Sequence, residues 1–145
     1  MFHEATNEGA GLTGKFGIDI PEITAGTTYD NAPYTTEEID RDGYQSSQVQ
    51  ISYEASLAAT KTLSLKLDIM DCATSGGTFS TASSLLAATV VETGSGTPKD
   101  VYNVNIDLSG YERYVKLVLT PDLSNSGTDT VKLAVTPVLS GKRVI

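Results

Sequence analysis

Apolar and polar residues alternate along much of this chain, most clearly over residues 101–135. Tyr102, Val104, Ile106 and Leu108 share one face of a first run, Val115, Leu117 and Leu119 one face of a second, and Val131, Leu133 and Val135 one face of a third. A period of two fits a strand with one buried face, whereas a helix spaces its apolar residues three and four apart. Turn-forming clusters at 109–110 and 121–129 separate the runs, so the pattern predicts an antiparallel meander. Pro121 is expected to stop the second strand and Gly127 to allow the return. Upstream, Val49, Ile51 and Tyr53 alternate with Gln48, Gln50, Ser52 and Glu54, and Leu63, Leu65, Leu67 and Ile69 with Ser64, Lys66 and Asp68. These are two more half-buried strands joined by the Ala-rich link 57–60. Full burial contributes about 1.5–3 kcal/mol per such side chain, which makes the row from Leu63 to Ile69 a major part of the core. Residues 83–91 have no clear period and are read as a short strand in preference to a helical turn.

The remaining segments are connections. Residues 1–17 contain Gly9, Gly11, Gly14 and Gly17 and follow neither period, which predicts an extended arm. Its spaced apolar residues Phe2, Leu12, Phe16, Ile18, Ile20 and Ile23 suit pockets on a neighbouring molecule, with ordering offset only on docking. A first strand of the domain's own sheet over 15–23 is the other reading. The chain therefore divides into an N-terminal arm over 1–23, which can include that first strand, and a β domain over 24–145. Residues 24–43 form a polar, acidic connection with a helical turn expected at 35–39. Loops are expected at 71–81, around Phe79, and at 92–100. The tail after Pro137 ends near Lys142 and Arg143. About seven or eight short strands with no convincing helix predict an all-β, antiparallel β-sandwich, jelly-roll or Greek-key like, with an extended N-terminal arm.

Composition narrows the chemistry. At 145 residues one domain can bury a core without disulfides or metal. A formal charge of −8 argues against nucleic acid or an anionic membrane as a partner. The one cysteine, Cys72, excludes an internal disulfide and fits folding in a reducing cytosol. No apolar run approaches the roughly 18 residues of a membrane span. The N-terminal residues lack the basic and apolar regions of a signal peptide, so export by the ordinary route is not expected. His3, the one histidine, lies in a glycine-rich arm where nothing fixes it as a base, and one Cys with one His cannot build a zinc centre. The glycine pairs lack the phosphate-loop pattern. Asp40, Asp42 and Gly43 superficially suggest a calcium loop, but the spaced Glu and third ligand are missing, and a solvated turn is expected. Acidic residues are plentiful enough for a glycosidase pair, yet there is no Trp and the seven tyrosines are scattered. Tyr111 and Tyr114 flank Glu112 and Arg113; a contact patch is one reading, and opposite strand faces with one ring in the core the favoured one. The expectation is a protein without catalytic residues, cofactor or metal.

Residues 107–124, DLSGYERYVKLVLTPDLS, followed by SGTDT at 126–130, resemble small structural proteins of tailed bacteriophages in which an R-Y-V-[RK] run leads into a strand ending T-P. The upstream LSLKLDIMD strand, running into the loop with Gly77-Thr78-Phe79, is similar to the same group; the likeness spans residues 44–138. Cys72 stands where that loop more usually carries a small polar residue. The resemblance implies a head decoration or cement protein, a β-sandwich on the exterior of the capsid that bridges adjacent major capsid subunits. It also implies self-association as a homotrimer or homodimer, synthesis in the bacterial cytoplasm and a final place in the virion. Phe2, Leu12, Phe16 and Ile18 are then the expected capsid contacts. A tail or baseplate component, or a receptor- or glycan-binding β module, is the alternative.

Overall fold

Each alternating run has one apolar face to bury, and the chain does so by laying two antiparallel sheets face to face. The computed structural model describes residues 13–15, 17–125 and 127–142. Regular structure among them is entirely β: β1 (Thr13–Gly14), β2 (Ile18–Thr24), β3 (Tyr34–Thr35), β4 (Ile39–Asp40), β5 (Tyr44–Ser56), β6 (Thr62–Cys72), β7 (Ser80–Thr93), β8 (Lys99–Asp107), β9 (Tyr114–Leu123) and β10 (Thr130–Lys142). The first sheet runs β2-β10-β5-β8 with β1 also on β10; the second runs β3-β9-β6-β7 with β4 also on β9. The pairings nest, β6 with β7, β5 with β8, β3 and β4 with β9, and β2 with β10. A chain doubled back once and then rolled in this way is a jelly roll.

The strands predicted for 101–135 are present, but they do not form a meander. β8 belongs to the first sheet, β9 to the second and β10 to the first again. An inward-facing alternation looks the same whether the next strand pairs alongside or crosses to the facing sheet, so the local pattern leaves this open. No helical turn forms at 35–39. Instead Thr36, 3% exposed, is tied to β9 by its N–H to the Leu117 carbonyl at 2.9 Å, while its hydroxyl accepts the Leu117 N–H at 3.0 Å. Tertiary pairing there overrides a weak local helical preference.

Nor does Pro121 end its strand: β9 continues to Leu123. The Pro121 carbonyl accepts from Asn31 in the β2–β3 loop. The backbone nitrogen of a strand residue points the same way as its carbonyl, so the missing N–H faces that loop and not the β6 ladder. Pro137 lies within β10, which therefore claims residues 138–142 of the expected tail. Its carbonyl accepts from Lys15, in the break between β1 and β2. At Gly17, in the same break, a β-carbon would overlap the Val135 carbonyl, so only glycine allows this close approach.

The core lies between the sheets. Leu63, Leu65, Leu67 and Ile69 of β6 are fully buried, as are Val49 and Ile51 of β5. Val115, Leu117 and Leu119 of β9 and Val131, Leu133 and Val135 of β10 complete its centre. Residues 83–91 are strand, as expected, within β7. Irregular pairing explains their missing period: the register against β6 shifts at several bulges.

Candidate functional site

β1 brings Thr13 close to one end of the sandwich. Thr13 pairs with Leu139 and Gly14 with Val138, near the row where Ser46 faces Ser140 and Asp107. Three connections turn at this end: 41–43 between β4 and β5, 73–79 between β6 and β7, and 108–113 between β8 and β9.

Charged side chains brace these loops. Arg41 donates to three backbone carbonyls, those of Glu112 at 2.9 Å, Tyr44 at 3.2 Å and Tyr111. Arg113 grips Asp40 with two parallel 2.9 Å bonds, a geometry that suits guanidinium and carboxylate. The bonds from Arg113 hold the Asp40 carboxyl below its usual range, and Asp40 in turn raises Arg113. Glu38 accepts from the Ser75 hydroxyl at 2.6 Å and the Gly76 N–H at 2.8 Å, and these bonds lower its pKa, the hydroxyl's first. Asp71 accepts the Glu112 N–H at 3.0 Å, and the Lys116 ammonium lies 4.5 Å from the centre of the Phe79 ring. The outcome is a set of loops cross-linked by side-chain bonds close to Thr13, where β1 pairs with β10.

Of the expected capsid contacts, Phe2, Leu12 and Phe16 lie outside the described residues, as does His3. Ile18 opens β2, pairs with Val135 and packs half-buried against the core. Asp40 and Asp42 lie at a turn, Asp40 accepting the Asp42 N–H at 3.0 Å and Asp42 lying 3.7 Å from Arg113. The pair Tyr111 and Tyr114 divides: Tyr111 packs against the core and bonds Ser83 through its hydroxyl, whereas Tyr114 is half-buried with Arg113 5.3 Å from its ring centre. Cys72 is buried and unbridged under the 73–77 loop, where a β-carbon on Gly77 would lie 2.6 Å from its Sγ.

A second feature occupies the outer face of the first sheet. An open trough of about 680 Å³ is lined by Ser46, Gln48, Gln50, Asn105, Asp107 and Ser140 among others. The Ser46 and Ser140 hydroxyls bond each other at 2.8 Å, and Gln48 donates to Asn105 at 3.3 Å. Strand alternation marks Gln48 and Gln50 as outward and polar, but only the register of β10, β5 and β8 gathers them into rows with Ser46, Asn105, Asp107 and Ser140. Arg41 as a brace was also missed, because an arginine between two aspartates reads locally as part of a charged turn.

Among the described residues no group of three or more His, Cys, Asp or Glu side chains is placed to hold a metal ion. The perturbed groups have structural causes. Burial foremost, then Glu92, raises the pKa of Tyr53, whose hydroxyl donates to Glu92 at 2.8 Å. Burial foremost, then Asp30, raises that of Asp122. No helix is long and apolar enough to cross a membrane among the described residues.

No protein-family model matches the sequence, and no curated protein matches it. Solved structures do resemble the fold. The VP2 subviral particle of infectious bursal disease virus superposes with a TM-score of 0.52 at 12% identity, over 90% of this chain and 32% of that one. The T13 viral particle of the same virus gives 0.51 at 13% identity, over 90% and 31%. The chain thus spans about a third of the length of these proteins. At such identities the likeness is one of fold, an antiparallel β-sandwich.

Proposed function

We propose that this protein decorates a tailed-phage head, binding the outer surface of the capsid and stabilising it by bridging adjacent major capsid subunits. The observation that carries this reading is the cross-braced loop end close to Thr13, the residue at which β1 begins. A braced loop end offers a platform for docking, and residues 1–12 supply the docking segment in this reading. The resemblance of residues 44–138 to phage head decoration proteins supports it. So does the fold, which similar solved structures use to build viral particles. In this reading Phe2, Leu12, Phe16 and Ile18 contribute apolar contacts to neighbouring capsid subunits, and the protein acts as a structural element of the virion exterior, not as an enzyme. It self-associates as a homodimer or homotrimer, and repetition around a symmetric shell adds avidity to weak single contacts.

Co-sedimentation with heads stripped of accessory proteins tests the reading. Saturable binding to expanded heads is expected, and deletion of residues 1–17, which removes Phe2, Leu12 and Phe16, should abolish it with the β circular dichroism intact. Full binding by the truncated chain would remove the arm from the mechanism.

A receptor- or glycan-binding module is the second reading, favoured by the neutral amides and hydroxyls of the trough, which suit a polyhydroxyl ligand. Its lining contains no aromatic ring on which a sugar could stack. Glycan-array binding lost on Gln48→Ala and Asn105→Ala would favour it over head decoration.

A further inference from the structure

The sandwich has four edges, and three are blunted. β3 and β4 are two residues each. β2 is separated from β1 and carries Pro21. β8 begins with Lys99 and Asp100 and ends with Asp107. Such devices keep an edge from pairing with another chain. β7 differs. At 14 residues it is the longest strand among the described residues, among these it pairs only with β6, and from Ser80 through Val91 it carries neither charge nor proline. Its bulges curl the edge without placing a charge on it. Ala87 and Ala88 are exposed, and Val90, at 54%, is one of the most exposed large apolar residues. Another, Val101, lies on β8 at the same side of the sandwich.

We propose that β7 pairs antiparallel with β7 of a second copy, joining two second sheets into one continuous sheet across a two-fold axis. Charge selects this occupant. Copies carrying −8 each repel unless their contact is uncharged. A strand paired with itself across a dyad sets its own residues opposite one another, so any charge near the centre would face a like charge. The run from Ser80 to Val91 avoids that conflict. The inference rests on the self-association in the proposed function and adds the surface, the two-fold symmetry and the choice of dimer over trimer.

The test is sedimentation velocity of the full chain over a range of concentrations, with hydrogen exchange read strand by strand. A dimer is expected, with β7 amides more protected at high than at low concentration while β8 amides are unaffected. Ala88→Lys with Val90→Lys should raise the dissociation constant by about 100-fold or more, since like charges at an interface cost several kcal/mol, with unchanged circular dichroism. A monomeric or trimeric wild type would overturn the proposal, as would β7 exchange independent of concentration, a result that needs no variant to fold. So would a dimer persisting undiminished in the double variant. Head co-sedimentation is scored separately: a monomer that binds heads refutes this interface alone, and a β7 dimer that binds none refutes the decoration role alone.

Discussion

Thr36 offers a sharp test of how the short strands are held, because Val has nearly its shape without its hydroxyl. The side chain is 3% exposed, and its hydroxyl accepts the Leu117 N–H at 3.0 Å in the gap between β3 and β4, beside the backbone bond from the Thr36 N–H to the Leu117 carbonyl. Thr36→Val leaves that buried N–H without a partner, which costs about 1–3 kcal/mol. The added methyl returns at most about 1 kcal/mol through burial. With both figures at mid-range the net effect is a loss of about 1–2 kcal/mol, or about 2–8 °C in Tm for a domain of this size. Thr36→Ser keeps the acceptor and gives up a methyl, costing about 0.8 kcal/mol. Urea unfolding of the three proteins followed by circular dichroism gives the order wild type, Ser, Val in falling stability, with equal slopes. A Val variant as stable as wild type, or more stable than Ser, would refute the claim that this hydroxyl secures the strand.

Other expectations follow from the same contacts. Leu67→Ala, at a fully buried centre of β6, should cost about 2–5 kcal/mol in urea unfolding. Glu38→Ala should free the 73–77 loop and speed alkylation of Cys72 several-fold at pH 8 without loss of strand signal; an unchanged rate would mean the loop is held otherwise. The Glu38 pKa is lowered on folding, so its bonds contribute fully above the ordinary carboxyl value and are lost as pH falls through the lowered one. Gly76 amide exchange should accordingly rise on acidification beyond its intrinsic pH dependence. Gly17→Ala should push the β1–β2 break away from β10 and strip exchange protection from Lys15, whose N–H bonds the Pro137 carbonyl at 3.0 Å.

The strands were legible where one face is buried and the other wet. The row from Leu63 to Ile69 and the three runs after 101 could be placed from their period alone. Their partners could not. β8, β9 and β10 each look like neighbours in one sheet because inward-facing residues alternate identically in a hairpin and in a crossing between sheets. The loops of the jelly roll carry no residue that distinguishes the two. The prolines misled for a related reason: tolerance depends on which way the absent N–H would point, and that is set by neighbours distant in sequence, Asn31 for Pro121 and Lys15 for Pro137. Much the same holds for the brace at the loop end. Glu38 and Ser75, or Arg41 and Tyr111, meet only once the sheets have formed, so spacing gave no sign of them.

Decoration of the head exterior is tested most directly by electron cryomicroscopy of stripped, expanded heads before and after saturation with the purified protein. The account predicts added density outside the shell, sized to the β-sandwich, seated across the boundary between adjacent capsid subunits, with the cross-braced loop end facing the shell. Heads unchanged by the protein, or density confined to the tail of assembled particles, would contradict it.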